Sequence, residues 1–263
     1  MESRRTSQEK APWKNIESLN GPIEKQFLRE LLLGESIAPF RILKPALAVI
    51  PWDRKSSAVL DAKAAQAAGY GNLARWMKQA EALWNQHAHR NGGDLRMSLI
   101  GRLDYQRGLS AQMPPAKLRV LCSASGTLAA ATILKDQAAI VEHKLCWAAF
   151  EDENEARYIT AILNSDTLRA RVAPHQSKGQ WGARDFDKLL VNGPIPKFDP
   201  GLGLHRELVA AADEAGRLAA DVRLPEGIHF IRARQHIRQA LRDAGIAGRM
   251  ELLVTKLFGG TRQ

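Results

Sequence analysis

Cysteine is scarce: Cys122 and Cys146 are the two in 263 residues. That excludes a disulfide scaffold and a zinc site built on cysteine. No apolar run approaches the ~18–20 residues that a membrane-spanning helix needs. The opening, MESRRTSQEK, carries charges with no apolar stretch behind them, so it does not read as a secretion signal. These absences lead us to expect a cytoplasmic chain with no membrane partner.

Several catalytic signatures are missing as well. The chain has neither G-x-G-x-x-G nor G-x-x-x-x-G-K to cradle phosphates. It has no G-x-S-x-G nucleophile elbow and no H-E-x-x-H or H-x-x-x-H zinc pair. Met113-Pro114-Pro115-Ala116 contains the proline pair with which amino-methyltransferases grip a flipped base. It lacks the amide or acid before the prolines and the aromatic after them, the groups that would hydrogen-bond and stack that base. It is not read as a catalytic loop.

What the chain does have is positive charge. Thirty-eight Lys and Arg stand against 28 Asp and Glu, a net +10. An excess of this size favours polyanionic partners, nucleic acid first. The C-terminal tail is enriched: residues 228–263 hold seven cations and two acids. Arg234, Arg238 and Arg242 recur every four residues, which sets them in one row on a helix, able to track phosphates.

Pattern along the chain predicts an α+β fold with antiparallel β-rich recognition lobes, helical spacers and a helical C-terminal tail. Residues 1–20 read as a polar lead-in. Residues 21–113 read as a mixed α/β lobe with two long helices. A short helix is expected over IEKQFLRELLL, ending at Gly34, and a broken strand over 40–52. Leu73, Trp76, Met77, Ala80, Leu83 and Trp84 recur at helical spacing and predict an amphipathic helix over 71–89, with both tryptophans in the core. A further helix is expected over 95–113, stopped by Pro114-Pro115. Residues 114–204 read as a β-rich recognition domain with one helix. KLRVLCSAS and TLAAATIL flank Gly126 like two strands around a tight turn, and IVEHKLCWAAF reads as one or two more. EDENEARYITAILNS predicts a helix, with acids at its positive end. Residues 205–263 read as helical, alanine-rich over 205–222.

The stretch QSKGQWGAR, 176–184, concentrates recognition chemistry. Gln176 and Gln180 each offer the paired donor and acceptor that match the adenine edge, while Lys178 and Arg184 suit phosphate or guanine. Gly179 and Gly182 permit close backbone approach. Trp181 is expected to brace the loop. Ser123, Ser125 and Thr127, in the 123–127 turn, are weaker candidates for DNA contact.

Two alternatives stand beside DNA binding. Glu142-His143-Lys144 fits E-x-K and follows Asp136, the residue types of a Mg²⁺-dependent nuclease with Lys144 near the attacking water. The chain also fits a non-catalytic scaffold whose helical tail docks a partner protein through the alanine-rich face of 205–222.

LRELLLGESIAPFR, RLDYQRGLSAQMP, KLRVLCSASGTLAAATI, DENEARYITAILNS, QSKGQWGARDFDK and PIPKFDPGLGLHRELV occur in this order. As an ordered set they resemble the C-terminal target-recognition (specificity) region of bacterial adenine-N6 DNA methyltransferases of the fused restriction–modification type. The resemblance spans roughly residues 20–225. It implies double-stranded DNA as partner, docked by β-rich lobes against a methyltransferase domain or subunit. The cofactor loop and the Asn-Pro-Pro-aromatic motif of the methylase half are missing. The resemblance is therefore to the specificity part alone, as a separate subunit or a fragment. No cofactor is expected in this chain, and S-adenosylmethionine is expected only on the partner methylase.

Overall fold

The computed structural model describes residues 1–4, 9–91, 94–124, 130–175, 178–179, 182–183 and 195–259. The chain divides into two compact units, one of residues 1–30 and 47–114, the other of residues 31–46 and 115–263. It passes between them three times, first within strand β1 (Leu28–Leu32). The excursion 31–46 adds an antiparallel pair, β2 (Ile37–Ala38) with β3 (Arg41–Ile42), and ends as β4 (Ala46–Val49) begins.

In the first unit, β5 (Trp52–Asp53) and β6 (Ala58–Val59) form a hairpin that leads into α1 (Ala62–Ala67) and α2 (Gly71–His87). Asp61 caps α1 by accepting the Ala64 N–H at 2.7 Å. The N-cap of α2, Tyr70, makes no side-chain capping bond. The Glu24 carboxylate supplies it instead, accepting the Asn72 and Leu73 N–H groups at 2.9 Å each. Phe27, Leu60, Leu73, Trp76 and Met77 make the core. Trp76 is buried, as its spacing predicts; Trp84 is half-buried, donates Nε1–H to the Met97 carbonyl and stacks on Trp13. A short pair, β7 (Arg90–Asn91) with β8 (Asp94–Leu95), precedes α3 (Leu99–Leu103).

Two helices expected in this stretch of chain are not formed as such. Over 22–33 the chain makes a single 3₁₀ turn, Lys25–Phe27, and then extends as β1. The residues have helix propensity, but Leu31 and Leu32 gain a parallel pairing with Ile140 and Val141, and tertiary pairing wins. The second expected helix stops at Leu103. The Asp104 carboxylate accepts the N–H groups of Leu109 and Ser110, and Gln106 and Arg107 take left-handed φ of 52° and 61°. An aspartate that offers the backbone other bonds competes with the helix ladder.

In the second unit, β9 (Arg119–Ser123) lies between β10 (Ala131–Leu134) and β12 (Leu145–Ala149), antiparallel to both. All five β9 residues are buried, so its sequence is a continuous apolar-rich run and does not alternate. The parallel partner of β1 is β11 (Ile140–Val141). Helix α4 (Glu153–Asn164) starts at an Asp152 cap, with Glu153 and Glu155 at its positive end. Asn164 locks it to the sheet: its Oδ1 accepts the Ala131 N–H and its Nδ2 donates to the Ala131 and Thr160 carbonyls, all near 3 Å. Helix α5 (Asp166–Val172) follows, then the tail helices α6 (Gly203–Asp221), α7 (Phe230–Asp243) and α8 (Ile246–Gly259).

The alanine-rich face of α6 is interior. Ala211 and Ala212 pack into the cluster of Val120, Tyr158, Ile162 and Val254, while Ala215 and Ala219 join Ile237 and Leu241 of α7. That face is already covered within the unit, which corrects its reading as a docking surface. Small side chains there let helices approach closely. Among the described residues, no helix is long and apolar enough to cross a membrane. The architecture is α+β, with small sheets and a helical C-terminal region.

Candidate nucleic-acid interface

Two short strands lie within QSKGQWGAR. β13 (Lys178–Gly179) pairs antiparallel with β14 (Gly182–Ala183), Lys178 opposite Ala183 and Gly179 opposite Gly182. Glycines directly opposite each other leave no side chains to hold the strands apart. Gln176, Gln180, Trp181, Arg184 and the side chain of Lys178 lie outside the described residues, as do Ser125 and Thr127.

Ser123 is described, and it is not a contact residue. It is buried at the end of β9, where its Oγ accepts the Ala130 N–H at 3.3 Å and donates to the Ala130 carbonyl at 3.4 Å. It fastens the end of β9 to Ala130 and is buried.

The arginine row on α7 holds three different residues in all but name. Arg234 is 5% exposed; its Nε donates to the Ile37 carbonyl at 2.9 Å and its Nη2 to the Gly34 carbonyl at 2.7 Å. Its guanidinium lies over Phe230, 5.1 Å from the ring centre. Burial, and then Arg238, push its pKa down to about 10. Arg234 is thus a fastener between α7 and the chain before β2, and its expected phosphate role is withdrawn. Arg238 is half-buried, with Nη1 3.6 Å from Asp166. Burial lowers its pKa most, Arg169 lowers it further, and Asp166 opposes both. Arg242 is exposed and donates Nη2–H to Gln239 at 2.7 Å. Of the three, Arg242 alone presents a solvent-facing cation.

Arg238 and Arg242 line a cavity of about 200 Å³ together with Phe40, Asn164, Asp166 and Glu251. The acids are committed. Glu251 accepts the N–H groups of Asp166 and Thr167 and the Thr167 hydroxyl, which caps α5 from a distant helix. Asp166 also receives Arg169 at 2.6 Å. The cavity is walled by a balanced charge network and is not a cationic cleft.

The nuclease residues are not gathered into a site. Asp136 accepts the Ala138 N–H in its own turn. Glu142 accepts the Lys144 N–H at 3.1 Å and pairs with His143 at 2.6 Å. Each carboxylate shapes a local turn. Among the described residues, no group of three or more His, Cys, Asp or Glu is arranged to hold a metal ion.

No protein family matches the sequence, and no curated protein matches it. The solved structures give a likeness of fold. One structure similar in fold is that of the Type IIL restriction–modification enzyme MmeI, solved in complex with DNA. The match covers 91% of this chain at a TM-score of 0.52 and 10% identity. This chain spans 29% of the length of the MmeI chain, so the likeness is to a part of that enzyme. At this identity the two share a fold, and the MmeI likeness says nothing of individual side chains.

Sequence reasoning missed the residues that order the second unit. Arg119 is 1% exposed, and its Nη2 donates to the Asp136 and Ala139 carbonyls at 2.8 and 2.9 Å. Nothing in KLRVLCSAS marks that arginine as interior. The Glu251 cap on α5 joins residues more than eighty positions apart and has no local signal.

Proposed function

We propose that this chain is a DNA-binding target-recognition module of a restriction–modification system, working beside an adenine methyltransferase domain or subunit. The fold likeness to part of MmeI carries the reading, and the net +10 supports it. Methyl transfer and S-adenosylmethionine belong to the methyltransferase partner, in the cytoplasm, and not to this chain.

The ribbon 178–183 is the element to which we assign base reading, because a two-stranded ribbon fits the major groove. Gln176 and Gln180 would read adenine edges, and Lys178 and Arg184 guanine or phosphate. Arg242 would add sequence-independent affinity.

The test is duplex-DNA affinity across a salt series. A steep linear fall of log affinity with log salt is expected. Lys178→Gln with Arg184→Gln should reduce the slope by about two. A salt-independent affinity, or none at low salt, would sink the proposal.

A further inference from the structure

The two cysteines of the chain, apart in sequence, are direct partners in the sheet of the second unit. Cys122 of β9 stands opposite Cys146 of β12 in the antiparallel register. Both lie on one face. Cys122 belongs to the cluster of Val120, Ala131, Tyr158 and Ile162, and Cys146 packs against that cluster. Their neighbours along the strands, Leu121, Leu145 and Trp147, join the cluster on the other face.

The register also sets their spacing. On the same pair of strands, the Phe150 N–H donates to the Leu118 carbonyl and the Ala124 N–H to the Lys144 carbonyl. Hydrogen-bonded pairs recur at every second residue of an antiparallel ladder, so Cys122 and Cys146 are such a pair. The Cα atoms of such a pair stand about 5.5 Å apart, inside the window of roughly 4.4–6.8 Å that a disulfide spans. Facing Cβ atoms in a sheet are about 4.5–5.5 Å apart, whereas a disulfide holds them at about 3.5–4.5 Å. Closing the bond therefore draws the strands together slightly, which favours a reducible bond over a permanent one. Access differs between the two thiols. Cys122 is 7% exposed, while Cys146 is half-buried on β12, an outer strand in the order β10-β9-β12.

We infer that Cys122 and Cys146 form a reversible dithiol–disulfide pair, a modification site whose oxidant is a small disulfide of the glutathione class. Cys146 gives its proton to water, and its thiolate attacks one sulfur of the oxidant. One glutathione thiolate leaves, and a mixed disulfide remains on Cys146. The Cys122 thiolate, its proton also passed to water, then attacks the Cys146 sulfur. The cross-strand bond forms and the second glutathione leaves. Two protein thiols are oxidised, and one glutathione disulfide is reduced to two thiols. The bond fastens β12 to β9. A single bond of this kind is no scaffold; in a reducing compartment it forms transiently. None of this depends on the DNA-binding reading.

The test is oxidation of the full folded chain with oxidised glutathione, followed by mass spectrometry and non-reducing tryptic mapping. The chain should lose two hydrogens, and peptides 120–135 and 145–157 should be recovered as one linked species. Excess reduced glutathione should then restore both thiols. Cys122→Ala should stop the reaction at one glutathione on Cys146. Cys146→Ala should react more slowly, because the thiol that remains is the buried one. A wild-type chain that keeps glutathione on Cys146, forms only disulfide-linked dimers or does not react overturns the pair. A bond that forms but withstands reduced glutathione overturns its reversibility. Faster uptake by Cys146→Ala than by Cys122→Ala overturns the order of attack. The wild-type map decides the pairing even if a variant fails to fold.

Discussion

Arg234 in the second unit and Arg29 in the first are both within a few per cent of complete burial. Arg234 spends its donors on the Gly34 and Ile37 carbonyls and lies over a phenyl ring. Arg29 has a buried Nη1 with no hydrogen-bond partner among the described residues. Burial of a cation therefore does not by itself mark a ligand site. What makes Arg234 a fastener is that its guanidinium donates to backbone carbonyls of a distant segment.

Each prediction presses on that difference. The largest effect is expected at Arg234. Arg234→Met leaves two buried carbonyls without donors, and should cost about 3 kcal/mol in urea unfolding while leaving the DNA salt slope unchanged. A stable variant with a reduced slope would return Arg234 to the phosphate-contacting residues. Asn164→Ala comes next. It removes two bonds between α4 and β10 and one within α4, at a cost of about 2 kcal/mol in the same assay. Arg242→Gln should shift stability by less than about 0.5 kcal/mol, because the side chain is exposed. It should lower the DNA salt slope by about one. Arg234 and Arg242 would then be cleanly divided: one variant changes folding alone, the other binding alone.

The smallest effect concerns Tyr158, a buried polar group in the second unit whose hydroxyl is used, donated to the Pro196 carbonyl at 3.0 Å. Burial pushes its pKa up to about 12 from the ordinary 10.0 of a tyrosine. In the unfolded chain it ionises first, so the unfolded state loses protons sooner and stability falls as pH rises from 10 towards 12. Alkaline absorbance titration should show a phenolate step near pH 12 that Tyr158→Phe removes. The same variant should flatten the stability loss in that window.

Elements fixed by local pattern could be read from the sequence. Helix α2 has six apolar residues on one face, α4 has acids at its positive end, and the strands flanking Gly126 have turn chemistry between them. What could not be read was set by distant partners. Residues 28–32 become a strand because Ile140 and Val141 are available to Leu31 and Leu32. Helix spacing put Arg234, Arg238 and Arg242 in one row, as the structure has them. Spacing cannot say which side of the row faces the protein, and Arg234 turned inward because two carbonyls lie there. The same limit hides the burial of Arg29, which its neighbours in sequence, Leu28 and Glu30, do not announce. The ribbon 178–183 was read only as a loop with recognition side chains, since pairs of two residues are too short to show periodicity.

The early crossing of the chain bears on how the protein is made. Leu31 and Leu32 emerge from the ribosome about a hundred residues ahead of Ile140 and Val141, the partners they pair with. The segment 31–46 must wait, partly apolar, while residues 47–114 complete the first unit. Synthesis order and folding order therefore differ for this segment. A ribosome stalled with residue 114 clear of the exit tunnel and Ile140 and Val141 still inside it would hold a finished first unit with an unpaired strand, a natural client for a chaperone that binds extended apolar chain.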